Sequence, residues 1–136
     1  GQCAVIALDT NVLVRFLVQD DPEQAELANR VIDQLTDEVQ GFVSREVLFE
    51  LVWVLERAYR LGRAEIATAL DGLLAATELD VEGSDEVAPA LELYRNDGFG
   101  FADLMIAAAA RRVGAIELMT FDRKAARLPG VHLIKA

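Results

Sequence analysis

The stretch AVIALDTNVLVRFLV, residues 4–18, decides the fold. Its first part, residues 4–8, is a short apolar run of small and β-branched side chains, which is typical of a strand buried on both faces. Residues 11–18 then predict a short helix. Asp9 directly follows the predicted strand. Because ligands of parallel α/β sheets bind at the carboxyl ends of the strands, we expect Asp9 at a ligand-binding edge.

The rest of the chain repeats this alternation of strand and helix. Strands are predicted over residues 41–44, 79–81, 116–120 and 131–134. Helices are predicted over residues 22–35, 45–60, 63–76, 84–95, 101–113 and 122–128, with a loop over residues 96–100. This order indicates a parallel sheet with helices on both faces. The length of 136 residues predicts a single domain over residues 1–136.

The composition predicts a packed core, since 53% of the residues are hydrophobic and 26% are charged. No apolar run approaches the roughly 18–20 residues that a membrane-spanning helix needs. Cys3 is the only cysteine, which excludes an intrachain disulfide and a zinc site built on several cysteines. The sequence contains no secretory signal, and we expect a cytoplasmic protein.

The net charge of −10 is unevenly distributed along the chain. Residues 111–136 contain six basic and two acidic residues, a net charge of +4, against −14 for the remainder. Proteins that bind nucleic acid usually present basic surface. The excess of basic residues near the C-terminus permits a local phosphate-binding face. It equally permits a basic tail whose positive charge only offsets the negative charge of a distant acidic surface.

Four acids stand in apolar surroundings on separate segments: Asp9, Glu50, Asp103 and Asp122. Glu50 is the only charge in residues 47–55, and Asp103 is flanked by Phe101-Ala102 and Leu104-Met105. An ionised carboxylate removed from water costs at least several kcal/mol unless it is paired, capped or metal-bound. Basic partners are scarce in these segments, and a divalent cation would relieve the repulsion between converging carboxylates.

Carboxylate oxygens favour hard ions such as Mg²⁺ or Mn²⁺. Such ions activate water and orient a phosphodiester, which makes metal-dependent hydrolysis the evident chemistry. His132 is the only histidine, so a histidine-based hydrolase is hard to build. Each acid also has an ordinary structural explanation: Asp9, Asp103 and Asp122 could cap helices, and Glu50 could be a helix-surface acid. The joint occurrence on four segments favours the metal site.

The four segments resemble the motifs of PIN domains. Residues 9–13, Asp-Thr-Asn-Val-Leu, resemble the opening motif, and residues 47–57 around Glu50 resemble the second. Residues 101–108, Phe-Ala-Asp-Leu-Met-Ile-Ala-Ala, resemble the third, and residues 120–123, Thr-Phe-Asp-Arg, resemble the fourth. The order and spacing fit over essentially the whole chain. Within the family, the size and these motif variants are similar to VapC-type toxins of type II toxin–antitoxin pairs.

The resemblance implies a Rossmann-like three-layer α/β/α fold with a mainly parallel sheet of about five strands. It implies an endoribonuclease that depends on Mg²⁺ or Mn²⁺ and acts on RNA. It also implies a homodimer and inhibition by a cognate, VapB-like antitoxin. Asp9, Glu50, Asp103 and Asp122 would form the acidic metal-binding quartet, and Asn11 and Thr120 match positions that often support the quartet by hydrogen bonds.

Two other functions are considered. A non-catalytic PIN-like module that binds a protein partner is suggested by the nearly all-apolar helix over residues 45–60. A phosphatase of another Rossmann-like family is a weaker hypothesis. A haloacid dehalogenase-like phosphatase would have a second Asp two residues after the first, where Asn11 stands. A phosphate-receiver domain would have a Lys at the end of a late strand, where Thr120 stands. The roles of two residues stay open. Arg15 could bind phosphate or the antitoxin, or it could be a solvated helix residue. Trp53 is expected in the core or in a dimer interface.

Overall fold

A computed structural model of the protein describes residues 4–136. It divides the chain into two units, Gly1–Ser84 and Asp85–Ala136. Cys3 and the two residues before it lie outside the described part. None of the described helices is long and apolar enough to cross a membrane.

The first unit contains three strands that pair in parallel in the order β1-β2-β3. In the register of this sheet, Ile6 lies opposite Gly41, and Gly41 lies opposite Leu79. The strands alternate with helices as the sequence predicted. The elements are β1 (Ala4–Ala7), α1 (Thr10–Val18), α2 (Pro22–Asp33), β2 (Val39–Val43), α3 (Arg45–Arg57), α4 (Arg63–Ala75) and β3 (Leu79–Val81).

Side-chain caps fix the starts of the helices in the first unit. The Asp21 carboxylate accepts a hydrogen bond from the backbone N–H of Gln24 at 3.1 Å, and Pro22 follows at the first helical position of α2. Ser44 Oγ accepts from the N–H of Val47 at 3.2 Å and begins α3. These short-range contacts explain why the helix starts were predictable from the sequence.

Gly41 lies at the centre of the three-stranded sheet and is buried. A Cβ at this position would come within 2.7 Å of Leu35 and 2.9 Å of Leu8. Real Cβ atoms essentially never approach this closely. The close packing of the Leu35 and Leu8 side chains against β2 therefore favours a glycine here.

The second unit contains two helices and two strands. Its elements are α5 (Ser84–Asp97, beginning at the unit boundary), α6 (Phe101–Arg112), β4 (Leu118–Thr120) and β5 (Val131–Leu133). The strands β4 and β5 pair in parallel, with Leu118 opposite Val131. Val87, Leu91 and Tyr94 of α5 are fully buried, and Leu104 and Met105 of α6 are nearly so.

The predicted α/β fold class with parallel strands is confirmed, since all five described strands pair in parallel. They pair as a sheet of three and a sheet of two. The helix predicted over residues 122–128 is wrong in extent: only a 3₁₀ turn, Ala125–Arg127, is present. Pro129 explains where the turn ends, because it pushes Leu128 into an extended conformation (φ −74°, ψ 147°). The helix α5 runs two residues past its predicted end and includes Asp97.

Candidate active site

The helix α3 has a clear polar face, which corrects the prediction that it is apolar nearly all round. Leu48, Leu51, Val52 and Leu55 are buried at helical spacing. Glu50, Trp53 and Arg57 are exposed on another face. Trp53 is 58% exposed, so it does not lie in the core of the chain. A dimer interface, the other place expected for it, stays a prediction. Its ring lies 6.0 Å from the guanidinium carbon of Arg57, which allows a cation–π contact at the surface.

Asp9 lies between β1 and α1 and is exposed. It is the N-cap of α1, and its Oδ1 accepts a hydrogen bond from the backbone N–H of Thr10 at 2.8 Å. The capping explanation for Asp9 therefore holds structurally. It occupies only one carboxylate oxygen, because no described residue donates to Oδ2.

Glu50 joins Asp9 in one cavity of about 720 Å³ between α1 and α3. The hydroxyl Oγ1 of Thr10 donates a short hydrogen bond to Glu50 Oε1. Thr10 is 5% exposed. It thus bonds Asp9 through its backbone N–H and Glu50 through its hydroxyl, and it holds two acids that are far apart in the sequence on one wall of the cavity.

In the second unit, Asp103 is the third residue of α6, after the N-cap Gly100. The helix dipole there favours a negative charge. Burial, and next the charge of Asp122, nevertheless raise the pKa of Asp103 above its ordinary value. A Cβ at Gly100 would lie 3.1 Å from Asp103 Oδ2, so the carboxylate leans over this glycine. Asp103 does not receive a hydrogen bond from any described residue of its unit.

Asp122 is exposed and follows β4 after a one-residue gap. Its Oδ1 accepts from the N–H groups of Lys124 and Ala125 at 2.8 and 2.9 Å. Thr120 Oγ1 accepts from the N–H of Asp122 at 3.0 Å and so fixes the turn that carries this acid. Asn11 lines the large cavity beside Asp9, but its side chain does not hydrogen-bond to any described residue of its unit.

The structure therefore brings the predicted acids together in two pairs, one in each unit. Asp9, Glu50 and Asp122 are exposed, whereas Asp103 is half-buried. The premise that all four carboxylates are removed from water is wrong for the three exposed acids. Within either described unit, no three acidic, histidine or cysteine side chains are grouped closely enough to hold a metal ion. That all four acids share one site stays a prediction.

The residues of both pairs fit a hard divalent cation. Within its own unit, none of the four acids forms an ion pair with a described basic residue. Asp9 and Asp122 each keep one oxygen outside their capping bonds, and Asp103 is repelled by Asp122. Oxygen ligands of this kind are those that Mg²⁺ and Mn²⁺ prefer.

The comparison with known proteins decides the family. The PIN domain family model matches residues 6–131. The chain belongs to the PIN domain family. Among curated relatives, a VapC ribonuclease of Aquifex aeolicus (strain VF5) is 30% identical over 122 residues, which is 89% of this chain and 90% of the relative. The match to the PIN domain includes all four acids and extends across both units.

Sequence reasoning missed Thr10 as a site residue of this PIN domain. Thr10 lies inside the opening motif, directly after Asp9, but a threonine at a helix start is ordinarily taken as local capping. Its contact with Glu50 joins residues 40 positions apart. The large cavity also contains Arg15 and Tyr59, whose proximity depends on how α1 packs against α3.

Proposed function

We propose that the protein is a metal-dependent endoribonuclease and the toxin of a type II toxin–antitoxin pair. The observation that carries the proposal is the set of carboxylates, without basic partners in their own units, within the residues that the PIN domain family model matches. The name of the Aquifex aeolicus relative, a VapC ribonuclease, supports RNA as the substrate. We further propose that the chain acts as one domain, in the cytoplasm, as a homodimer that a VapB-like antitoxin inhibits.

In this proposal, Asp9, Glu50, Asp103 and Asp122 hold one or two Mg²⁺ or Mn²⁺ ions. When bound, such ions lower the pKa of water and stabilise charge on a reacting phosphodiester. The chain supplies the fixed oxygen ligands. Asp9 is held by its cap, Glu50 by the Thr10 hydroxyl, and Asp122 by the Thr120 turn. The only histidine, His132, belongs to the second unit, where its Nε2 lies 3.3 Å from Glu117 Oε2.

Asp103 has a separate part in the proposal. Burial and the neighbouring Asp122 charge disfavour its ionised form. A cation at the pair would offset both effects, so ion binding and ionisation of Asp103 favour each other. The proposal therefore predicts that ion binding releases a proton from the protein at a pH where Asp103 is protonated in the metal-free state.

The test is cleavage of RNA by the purified full chain. We expect cleavage with Mg²⁺ or Mn²⁺, none with excess chelator, and a loss of ~10²-fold or more in Asp9→Asn and in Asp103→Asn. Glu26→Gln is the matched control, because it removes one charge from a surface acid paired with Arg30 on α2. Circular dichroism checks that each variant stays folded. Full activity in chelator, or active Asp103→Asn protein, contradicts the proposal.

A non-catalytic module that binds a protein partner loses its original support, because α3 is amphipathic and its buried face packs inside the first unit. Calorimetric titration with Mn²⁺ separates the two functions. Binding that is lost in Glu50→Gln supports the enzyme, and absence of binding in the unsubstituted protein supports the module.

A further inference from the structure

The large cavity of the first unit has two chemically different ends. Two hydrogen bonds join the helices that line this cavity: Thr10, next to Asp9, bonds Glu50, and Arg15, further along α1, bonds Tyr59, just beyond α3. The two acids therefore lie towards one end of the cavity, and Arg15 and Tyr59 lie towards the other. The apolar lining residues Val14, Val54 and Ala58 come between these ends in the order of the two segments. Glu50, Val54 and Ala58 follow one another at a spacing of four residues, so they form a ridge along one face of α3 and its C-terminal extension.

Arg15 is held rigidly in this cavity. Its Nε donates to Gln24 at 2.7 Å, and its Nη1 donates to Asp20 at 3.3 Å and to the Tyr59 hydroxyl at 3.2 Å. These bonds use three of the five N–H donors of the guanidinium. In the described part of the first unit, no residue accepts from the two N–H groups of Nη2. Arg15 is also ion-paired with Asp20, which offsets part of its charge. The vacant donor pair of Nη2 is what remains for a phosphate oxygen.

Tyr59 completes the far end of the cavity without adding a negative charge. Burial, and next its hydrogen bond to Asp20, raise the pKa of the Tyr59 phenol. The phenol therefore stays protonated at neutral pH and does not repel a phosphate. The ring and the apolar wall offer a surface for a nucleobase, because bases stack on aromatic and apolar side chains regardless of sequence.

We propose that this cavity binds the nucleotide of single-stranded RNA next to the cleaved bond. Its base lies along the wall of Val14, Val54 and Ala58, and its phosphate is bound by Arg15. The inference rests on the proposed ribonuclease function, since it places the cleaved phosphodiester at the Asp9–Glu50 end. A volume of about 720 Å³ is within the range of small-ligand pockets. The continuity of the cavity with the acids favours RNA over a protein segment as its occupant.

The experiment uses the full chain with Asp103→Asn, to prevent cleavage, and fluorescein-labelled single-stranded RNA of random sequence. Adding Arg15→Gln should weaken RNA binding in Mg²⁺ by about tenfold, as expected for a lost charge-assisted hydrogen bond. Arg30→Gln is the matched control, because it removes the same charge from an exposed residue of α2 that does not line the cavity. It should change the affinity by less than about twofold, because exposed charges are screened by salt.

The active chain gives a second measurement. Arg15→Gln should raise KM by about tenfold while kcat stays within about twofold, which is the behaviour of a lost substrate contact rather than a lost catalytic group. Its Mn²⁺ affinity should be unchanged, because Arg15 lies at the opposite end from the acids. If Arg15→Gln unfolds at a lower temperature than the unsubstituted chain, two milder variants replace it. Arg15→Lys keeps the positive charge and removes the planar guanidinium, and Tyr59→Phe keeps the ring and removes the hydroxyl. Both should still weaken RNA binding.

The outcomes separate this inference from the proposed function. Equal RNA affinity in Arg15→Gln and Arg30→Gln overturns the cavity as an RNA subsite, even if cleavage still depends on Asp103. Unchanged RNA affinity in Arg15→Gln with lost binding to the VapB-like antitoxin proposed above assigns the cavity to a protein partner and also overturns it. Cleavage that does not depend on Asp103 contradicts the proposed function itself.

Discussion

Thr10 connects Asp9 and Glu50 through two different atoms, its backbone N–H and its hydroxyl. The hydroxyl orients Glu50 without being a metal ligand itself, which makes Thr10 a positioning residue in the proposed site. Loss of a hydrogen bond to a metal ligand typically lowers metal affinity or activity by ~10–100-fold.

We therefore predict that Thr10→Val weakens Mn²⁺ binding by about 10–100-fold and lowers RNA cleavage by a similar factor. Valine keeps the shape of threonine and removes only the hydroxyl bond. Thr10→Ser should restore most of both properties, since it keeps the donor. Calorimetric titration with Mn²⁺ checks the affinity directly. A Thr10→Val protein that binds Mn²⁺ as tightly as the unsubstituted chain would show that the hydrogen bond has no positioning role.

Asp103 carries the pH dependence of the second acidic pair. Its pKa is raised by burial and by the charge of Asp122. Between its unfolded and folded pKa values the folded state binds more protons, so the stability contribution of this residue falls as pH rises through that window. At a pH above that window and without metal, the ionised Asp103 therefore destabilises the fold.

The corresponding variant is Asp103→Asn. In metal-free buffer at neutral pH we expect it to be more stable than the unsubstituted chain, with the difference shrinking as pH falls. Adding Mg²⁺ should stabilise the unsubstituted chain and not the variant, because a ligand that binds only the folded state raises its stability. Denaturation at several pH values measures both effects. A variant less stable than the unsubstituted chain at neutral pH in chelator would contradict this electrostatic account.

At the scale of elements, the caps explain why most boundaries were predictable. Asp21, Pro22 and Ser44 mark helix starts through contacts within three residues, which a sequence displays directly. The polar face of α3 was not recognised. Glu50 and Trp53 stand among apolar neighbours in sequence, and only the helical spacing separates the buried positions from the exposed ones.

The packing of β2 provides a prediction about stability. Gly41→Ala should lower the free energy of unfolding by about 1–3 kcal/mol, because the new methyl group would press against Leu35 and Leu8. Gly72→Ala in α4 is the matched control, since no atom lies within 4 Å of a Cβ there. It should raise stability by about 0.5–1 kcal/mol through helix propensity. Urea unfolding measures both, and equal effects at the two glycines would contradict the close packing around β2.

At the scale of the whole molecule, the fold class followed from the order of elements and the family from motif resemblance, whereas the shared site of the four acids stays a prediction. Contacts between segments that are far apart in the sequence could not be predicted from it. The bond from Thr10 to Glu50 and the joining of Arg15 to Tyr59 depend on the packing of α1 on α3, which no local pattern encodes. The degree of burial was also misjudged, because apolar neighbours along the chain do not determine which face of an element meets water.

The central proposal is that Asp9, Glu50, Asp103 and Asp122 hold the same divalent ions. Calorimetric titration of the full chain with Mn²⁺ tests it most directly, using Asp9→Asn, Asp103→Asn and the surface control Glu26→Gln. The account predicts that each of the first two substitutions, although made in different units, weakens binding at least ~10-fold while the control does not. Mn²⁺ binding that persists unchanged in both variants, or that is absent from the unsubstituted protein, would contradict it.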